Sequence, residues 1–295
     1  MTTTSRWFRK FVVFIILIFA LLCLTWIGFR YVIINQLDRG INVLEQQGYQ
    51  VSHNGIKVSG FPLSLNTHAH NISLQAPKSA ANDPNKNWAV HLENLNVKSA
   101  TYMPVRWSVR HTGKMVIDYR DLINQQHIYE LSPAPLSAEA MVGLRGSLKH
   151  ASYDMGQTDI YTRLGPPLPI ARMGRFEGQL DIKNNQGFMD IKGHDIVLHE
   201  GLLNTAESVL GTTISQFGIQ ATLDNWQVLQ EQGGEIWAQK GGRIHAQYWK
   251  IKWGKADLEG DFDLTTIKGY PEGNISIKIK DIQVLMAGLN DAGLI

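Results

Sequence analysis

Apolar and polar positions follow three regimes along this chain, and each regime predicts a different kind of structure. Residues 11–29 read FVVFIILIFALLCLTWIGF, with no charge and with Thr25 as the only polar side chain. At about 1.5 Å per residue the run reaches about 28 Å, close to the roughly 30 Å of a hydrocarbon core, and it predicts a membrane-spanning helix. Residues 31–47 keep helical spacing, with Val32, Ile34, Leu37, Ile41 and Leu44 apolar among polar neighbours and Gly48 as a C-cap. The first helix is therefore expected to run on, or bend, into an amphipathic segment. From Tyr49 onward the period is two.

Segments of period two predict strands with one buried and one wet face, the mark of antiparallel sheet. Residues 49–52 and 56–59 flank His53-Asn54-Gly55, an Asn-Gly hairpin signal, and residues 105–111 and 115–119 flank Thr112-Gly113 in the same manner. Residues 64–75 continue extended, and 78–87 form a polar loop containing Pro84. Alternation recurs at Trp88, Val90 and Leu92, at Leu144, Gly146 and Leu148, and at Phe176, Gly178, Leu180 and Ile182. It is cleanest at Ala256, Leu258, Gly260, Phe262 and Leu264, followed by Ile275, Ile277 and Ile279. Helices are expected at 202–217, at 225–232 behind an Asp224 N-cap, and at 282–290. Gly165-Pro166-Pro167 with Pro169 is the best internal boundary. The expected organisation is a cytoplasmic stub and span (1–31), a juxtamembrane amphipathic helix (32–48) and an exported β-rich domain (49–295), with possible halves 49–164 and 170–295. The fold class is mainly β: an N-terminal transmembrane helix, then a curled antiparallel sheet or a sandwich with a few short helices.

Charge sets the orientation of the span. Arg6, Arg9 and Lys10 precede it and only Arg30 follows closely, which places the N-terminus in the cytoplasm and residues beyond about 31 outside. Trp7 and Trp26 stand near its two ends, where amphipathic rings prefer the headgroup level. The run is too long for a signal-peptide core and no A-x-A site follows it. Leu22 before Cys23 is the wrong residue for a lipoprotein anchor, and apolarity all round the helix is unlike a soluble core helix.

One local pattern, apolar-x-Gly-x-apolar, repeats at Gly146, Gly178 and Gly260. Each glycine falls on the apolar face of its strand. There it serves either tight bending of the sheet or room for an apolar guest such as an acyl chain. The second use makes Gly146, Gly178, Leu180, Leu258, Gly260 and Phe262 the candidate walls of an apolar trough. The alternative is a dry sandwich in which the two halves of the sheet close on each other.

Composition narrows the chemistry further. Twenty-eight Lys and Arg against 26 Asp and Glu leave a formal charge of +2 with no basic block in the body, unlike a nucleic-acid binder. The only cysteine, Cys23, lies in the apolar run, so the exported part forms no disulfide and no thiolate metal site. His68 and His70 share a strand face and are the only candidates for a metal, but no third ligand is marked nearby, and two polar residues on a wet face is the simpler reading. Asp257, Glu259, Asp261 and Asp263 share another face; at about 6–7 Å between alternate residues they are too spread for a calcium cage, and Lys278 and Lys280 are expected as cross-strand partners. G-x-S-x-G, H-E-x-x-H, Walker and dinucleotide motifs are absent from the sequence. No cofactor and no catalytic residue is expected.

The tail carries Ile236-Trp237-Ala238-Gln239-Lys240-Gly241-Gly242, then Trp253-Gly254, Leu258-Glu259-Gly260, Leu264 and Pro271-Glu272-Gly273. Near the front stands Val58-Ser59-Gly60-Phe61-Pro62. In these segments the chain resembles the bacterial DUF2125 family, single-span proteins without an assigned activity, which lends no catalytic residues. Its architecture is similar in kind to AsmA-like envelope proteins, in which an inner-membrane span precedes a curled sheet with an apolar inner face. The resemblance implies a single-pass protein of the bacterial inner membrane, N-terminus cytoplasmic and C-terminal domain periplasmic. Its partners are then the bilayer, through residues 11–29, and lipid or another envelope protein. The function expected is to bind or guide lipid-like molecules. A scaffold acting through a sheet edge is the alternative, and an unrecognised hydrolase the second.

Overall fold

A computed structural model describes residues 3–46, 48–77, 87–101, 103–121, 124–143, 147–267, 270–291 and 293. Helix α1 (Thr3–Gln46) is one rod, so the apolar run continues into the amphipathic segment. Its Val13–Val32 stretch is long and apolar enough to cross a membrane, with a mean hydropathy of 2.4.

Among the described residues, the remainder is a single antiparallel sheet of fifteen strands with three short helices. Its first part comprises β1 (Gln50–Ser52), β2 (Ile56–Ser59), β3 (Ser64–Gln75), β4 (Trp88–Ala100) and β5 (Met103–Arg120). The middle holds β6 (Gln126–Ser132), β7 (Leu136–Val142), β8 (Leu148–Met155), β9 (Thr158–Thr162), β10 (Leu168–Lys183) and β11 (Gln186–Leu198). Then come α2 (Asn204–Leu210), β12 (Thr213–Leu223), α3 (Trp226–Gln239), β13 (Arg243–Trp253), β14 (Ala256–Ile267), β15 (Tyr270–Lys280) and α4 (Ile282–Asp291).

Three positions in the sheet are each shared by two collinear strands. β1 and β2 both pair with β3, β6 and β7 both pair with β5, and β8 and β9 both pair with β10. The sheet is therefore an up-and-down meander of twelve rungs, open at β1/β2 and at β15. Two expected hairpins are corrected by this pairing. His53-Asn54-Gly55 only interrupts one rung, because β1 and β2 lie end to end along β3. Thr112-Gly113 lies inside β5, which passes from β7 to β6 at that point. In each case the glycine supplies a positive φ (Gly55 +102°, Gly113 +99°) for an irregularity within a strand, which a local turn signal cannot distinguish from a reversal. Gly165-Pro166-Pro167 is likewise a turn within the same sheet, between β9 and β10.

Irregular positions line up across many rungs. Asn71 and Asp195 have positive φ inside strands, register shifts occur opposite Gly113 and at Ser215, and β6–β7 and β8–β9 break at Pro133–Pro135 and Gly156-Gln157. Bulges bend a strand and raise its twist, so this line lets a wide sheet curl without closing.

The expected helix at 202–217 is cut short. α2 ends at Leu210, Gly211 takes φ +73°, and Thr213 begins β12, the strand to which Ile214 and Phe217 belong. The second expected helix extends further, to Gln239, with a kink at Gly233. Its N-cap is Asn225, while Asp224 accepts a hydrogen bond from Gln186 instead (2.7 Å). The third stands as α4.

Candidate functional site

Cross-strand register places one apolar face along the entire meander. One row of directly paired residues runs Val58, Thr67, Val97, Val109, Ala138 and Tyr153, from β2 to β8. It continues through Gly178, Ile191, Ile219, Trp249, Gly260 and Ile277, from β10 to β15. A second row joins Ile56 to Ile279 through Leu95, Leu136, Phe176 and Phe217, with His111 as its one titratable member. A third runs from Leu65 on β3 to Ile275 on β15, through Trp107, Leu180, Met189 and Phe262. With rungs about 4.8 Å apart, the face is about 50 Å long.

Little covers it. The accessible surface is 18809 Å² for 33.1 kDa, whereas a compact chain of that mass exposes about 12,600 Å². Part of the excess is α1 and part the one-layer sheet, in which most row residues are only half-buried. The short helices bound the face rather than roof it. α3 packs on β11 and β14 at one end of the strands, where the Trp226 ring lies over Gly187. α2 and α4 pack on each other beside the β13–β14 turn, with the Trp253 indole donating to the Gly211 carbonyl (2.8 Å).

The candidate trough residues within the described chain all lie on this face. Gly178 and Gly260 belong to one row, Leu180 and Phe262 to another, and Leu258 to the row of Phe176. Gly146 lies outside the described residues. The glycines do not leave a hole. A Cβ on Gly178 would stand 2.6 Å from the Tyr153 ring, and one on Gly260 would meet the Ser276 carbonyl and, at 3.0 Å, the Trp249 ring. At these points the wall of the face is the cross-strand ring itself, a large apolar surface set on a glycine. Sequence reading missed Trp249, Ile219 and Tyr153. In β13 a bulge between Ala246 and Trp249 shifts the alternation, and the helix expected as far as Phe217 hid the start of β12.

Over residues 26–295 the chain matches a bacterial family described as "Uncharacterized protein conserved in bacteria (DUF2125)". The chain belongs to the DUF2125 family. No curated protein and no solved structure matches it. The matched part of this DUF2125 chain begins at Trp26, so it contains every rung of the sheet but only the last part of the apolar run.

The opposite face of the DUF2125 sheet is ionic. Arg175 binds Asp154 through two hydrogen bonds of 2.9 Å and reaches Glu177 at 3.0 Å, and Arg106 reaches Glu139 at 2.6 Å. Adjacent residues of β8 show the division. Burial pushes the Tyr153 phenol up from its ordinary range, whereas hydrogen bonding to Arg175 holds the Asp154 carboxyl below its own. Of the two lysines expected opposite the carboxylates of β14, Lys280 forms an ion pair there, and the other cationic partners come from β13. Lys280 meets Glu259 at 2.5 Å, Lys250 meets Asp257 at 3.7 Å, and Arg243 grips Asp263 with both guanidinium arms. A depression of about 460 Å³ on this face is lined by Ser108, Ser137, Ser152 and charged side chains, among them Asp190 and Lys192, which pair at 3.1 Å. His68 faces Asn96 in the register, and His70 Nδ1 lies 2.7 Å from Asn94 Oδ1. Among the described residues no group of three or more His, Cys, Asp or Glu side chains is placed to hold a metal ion.

Proposed function

We propose that this protein is a membrane-anchored, non-catalytic envelope protein whose sheet holds or guides lipid-like chains along its apolar face. The carrying observation is the row of paired residues from Val58 to Ile277, with an apolar or aromatic side chain or a glycine on every rung except Thr67 and only half-buried along most of its length. Apolar surface left in water costs about 25 cal/mol per Å², so a face of this length calls for an apolar occupant. Acyl chains fit it, because each leaflet's chains fill only about 15 Å and the face is several times longer. α1 serves as the tether, with Arg6, Arg9 and Lys10 keeping the N-terminus in the cytoplasm and the sheet in the periplasm of the bacterial inner membrane.

The test is site-specific photocrosslinking in cells. A photoreactive residue at Val109 or Ile219 should capture phospholipid. The same residue at Ser108 or Gln220, one position along on the ionic face, should not. Equal capture on both faces, or none on either, would sink the proposal.

A second reading has its own observation. β15 is an edge strand whose Ile275, Ile277 and Ile279 are 61%, 60% and 43% exposed. An envelope protein adding a strand there would prolong the apolar rows. Ile277→Lys should then abolish that association while leaving lipid capture at Ile219 intact.

A further inference from the structure

The loop between β2 and β3 is built from Gly60, Phe61, Pro62 and Leu63, and it leans on the apolar part of α1. Phe61 packs edge-on against Trp26, with ring centroids 5.2 Å apart, and against Phe19 at 6.3 Å. Next to the loop, the Trp26 indole N–H donates to the Ser64 carbonyl at 2.9 Å. Thr101, in the β4–β5 turn, ties the loop from the other side: its backbone N–H donates to the Leu63 carbonyl (3.0 Å) and its hydroxyl to the Pro62 carbonyl (3.1 Å). Loop and turn thus form one tip. Despite these bonds Phe61, Leu63 and Met103 remain 50%, 60% and 46% exposed, three large apolar side chains facing outward beside an apolar helix.

Phe19 and Trp26 both belong to Val13–Val32. Trp26 is three residues from the end of the uncharged run at Phe29, about 4.5 Å inside it by helix rise. A ring wedged against both cannot stay in water while the stretch is in hydrocarbon. We infer that this tip is inserted in the outer leaflet, where acyl chains cover Phe61, Leu63 and Met103. It then forms, with α1, a two-point attachment that holds the first edge of the sheet in the bilayer. The inference rests on the membrane reading of α1 and is separate from lipid capture on the sheet.

Two further features fit this occupant. Cationic groups ring the tip at the level where phosphates would lie: the Arg30 guanidinium sits over the Trp26 ring at 5.5 Å, and Lys98 and Lys57 face Asn66 and His68, just along β3 from the tip. The apolar face also begins here. Leu65, first member of the third row and fully buried, lies two positions beyond Leu63, so the row starts beside the inserted side chains.

The experiment uses the full-length protein in phosphatidylcholine/phosphatidylglycerol vesicles carrying a nitroxide on the acyl chain. One fluorescent label is placed at a time: on native Cys23, or, in Cys23→Ser protein, on Leu63→Cys or Asn54→Cys. Asn54 is exposed on the same edge rung but lies farther along it, beside His70. Quenching is expected at Cys23 and at position 63, with little at position 54. A label at 63 quenched no more than at 54, while Cys23 is quenched, overturns the inference and leaves the span intact. Absence of quenching at Cys23 removes the span, and the inference with it. A label at 63 that is reactive in vesicles but shielded from water-soluble reagents in cells, without acyl-chain quenching, would assign the tip to a protein partner and also overturn it.

Discussion

Gly260 and Gly218 both stand inside strands, yet an added methyl group meets different neighbours at each. At Gly260 it strikes the Ser276 carbonyl and the Trp249 ring, whereas at Gly218 the nearest atom is the Ile191 carbonyl oxygen at 3.8 Å. Gly260→Ala should therefore lower stability by about 1–3 kcal/mol, the usual cost of forcing volume into a filled site. Gly218→Ala should be neutral or raise stability by about 0.5–1 kcal/mol, because alanine restricts the unfolded chain. Urea unfolding of the two full-length variants in the same detergent checks the pair, and equal losses would contradict the packing at Gly260. At this scale the glycine pattern was legible in the sequence but its use was not. Whether a glycine faces a guest, a bend or a neighbour's ring depends on the residue across the strand, and Trp249 is brought opposite Gly260 only by a bulge.

At the scale of elements, α2 shows a helix end held by one carboxylate. Glu207 accepts backbone hydrogen bonds from Leu203 (2.7 Å) and Gly201 (2.8 Å), and these hold its carboxyl below the ordinary glutamate range. A folded-state value below the unfolded one means that the stabilisation is complete above the unfolded value and is lost as pH falls through the folded one. Acidification from neutral pH to below about 4 should loosen α2, seen as faster amide exchange at Val209 and Leu210. Glu207→Gln should start with faster exchange at neutral pH and change less on acidification; an unchanged acid response in the variant would show that another group is responsible. The same region explains a misreading. Leu203, Ala206, Leu210, Ile214 and Phe217 fit one helical stripe, but Gly211 breaks the chain at φ +73° and the last two belong to β12. Apolar spacing of three and four mimics a helix wherever a short helix abuts a strand.

For the whole molecule, the proposed orientation rests on the charge around α1. A reporter that is active only after export, fused behind Ile295, should give signal, and one active only in the cytoplasm should not. Signal from the cytoplasmic reporter would reverse the topology and move the sheet to the other side of the membrane. The shape of the sheet also belongs to this scale. A barrel would hide both edges and a sandwich would dry the apolar face, but β1/β2 and β15 end the meander unpaired and the face stays half-exposed.

The sequence by itself determined what depends on near neighbours along the chain: one apolar run long enough to span a membrane, the change from helical period to period two near Tyr49, and strands with one apolar and one charged face. Those properties are set by hydrophobic burial and backbone period, and they survive translation into structure almost unchanged. Tertiary structure alone decided which residues stand opposite one another. Pairing joined β1 to β2 and β6 to β7 end to end, aligned Val58 with Ile277 through ten intervening rungs, and set Phe61 against Trp26. Register is a bond between distant segments, and a shift of one residue would turn an entire strand over. No local pattern carries it, because bulges at Gly113, Ser215 and Gln247 change the count that pairing must satisfy.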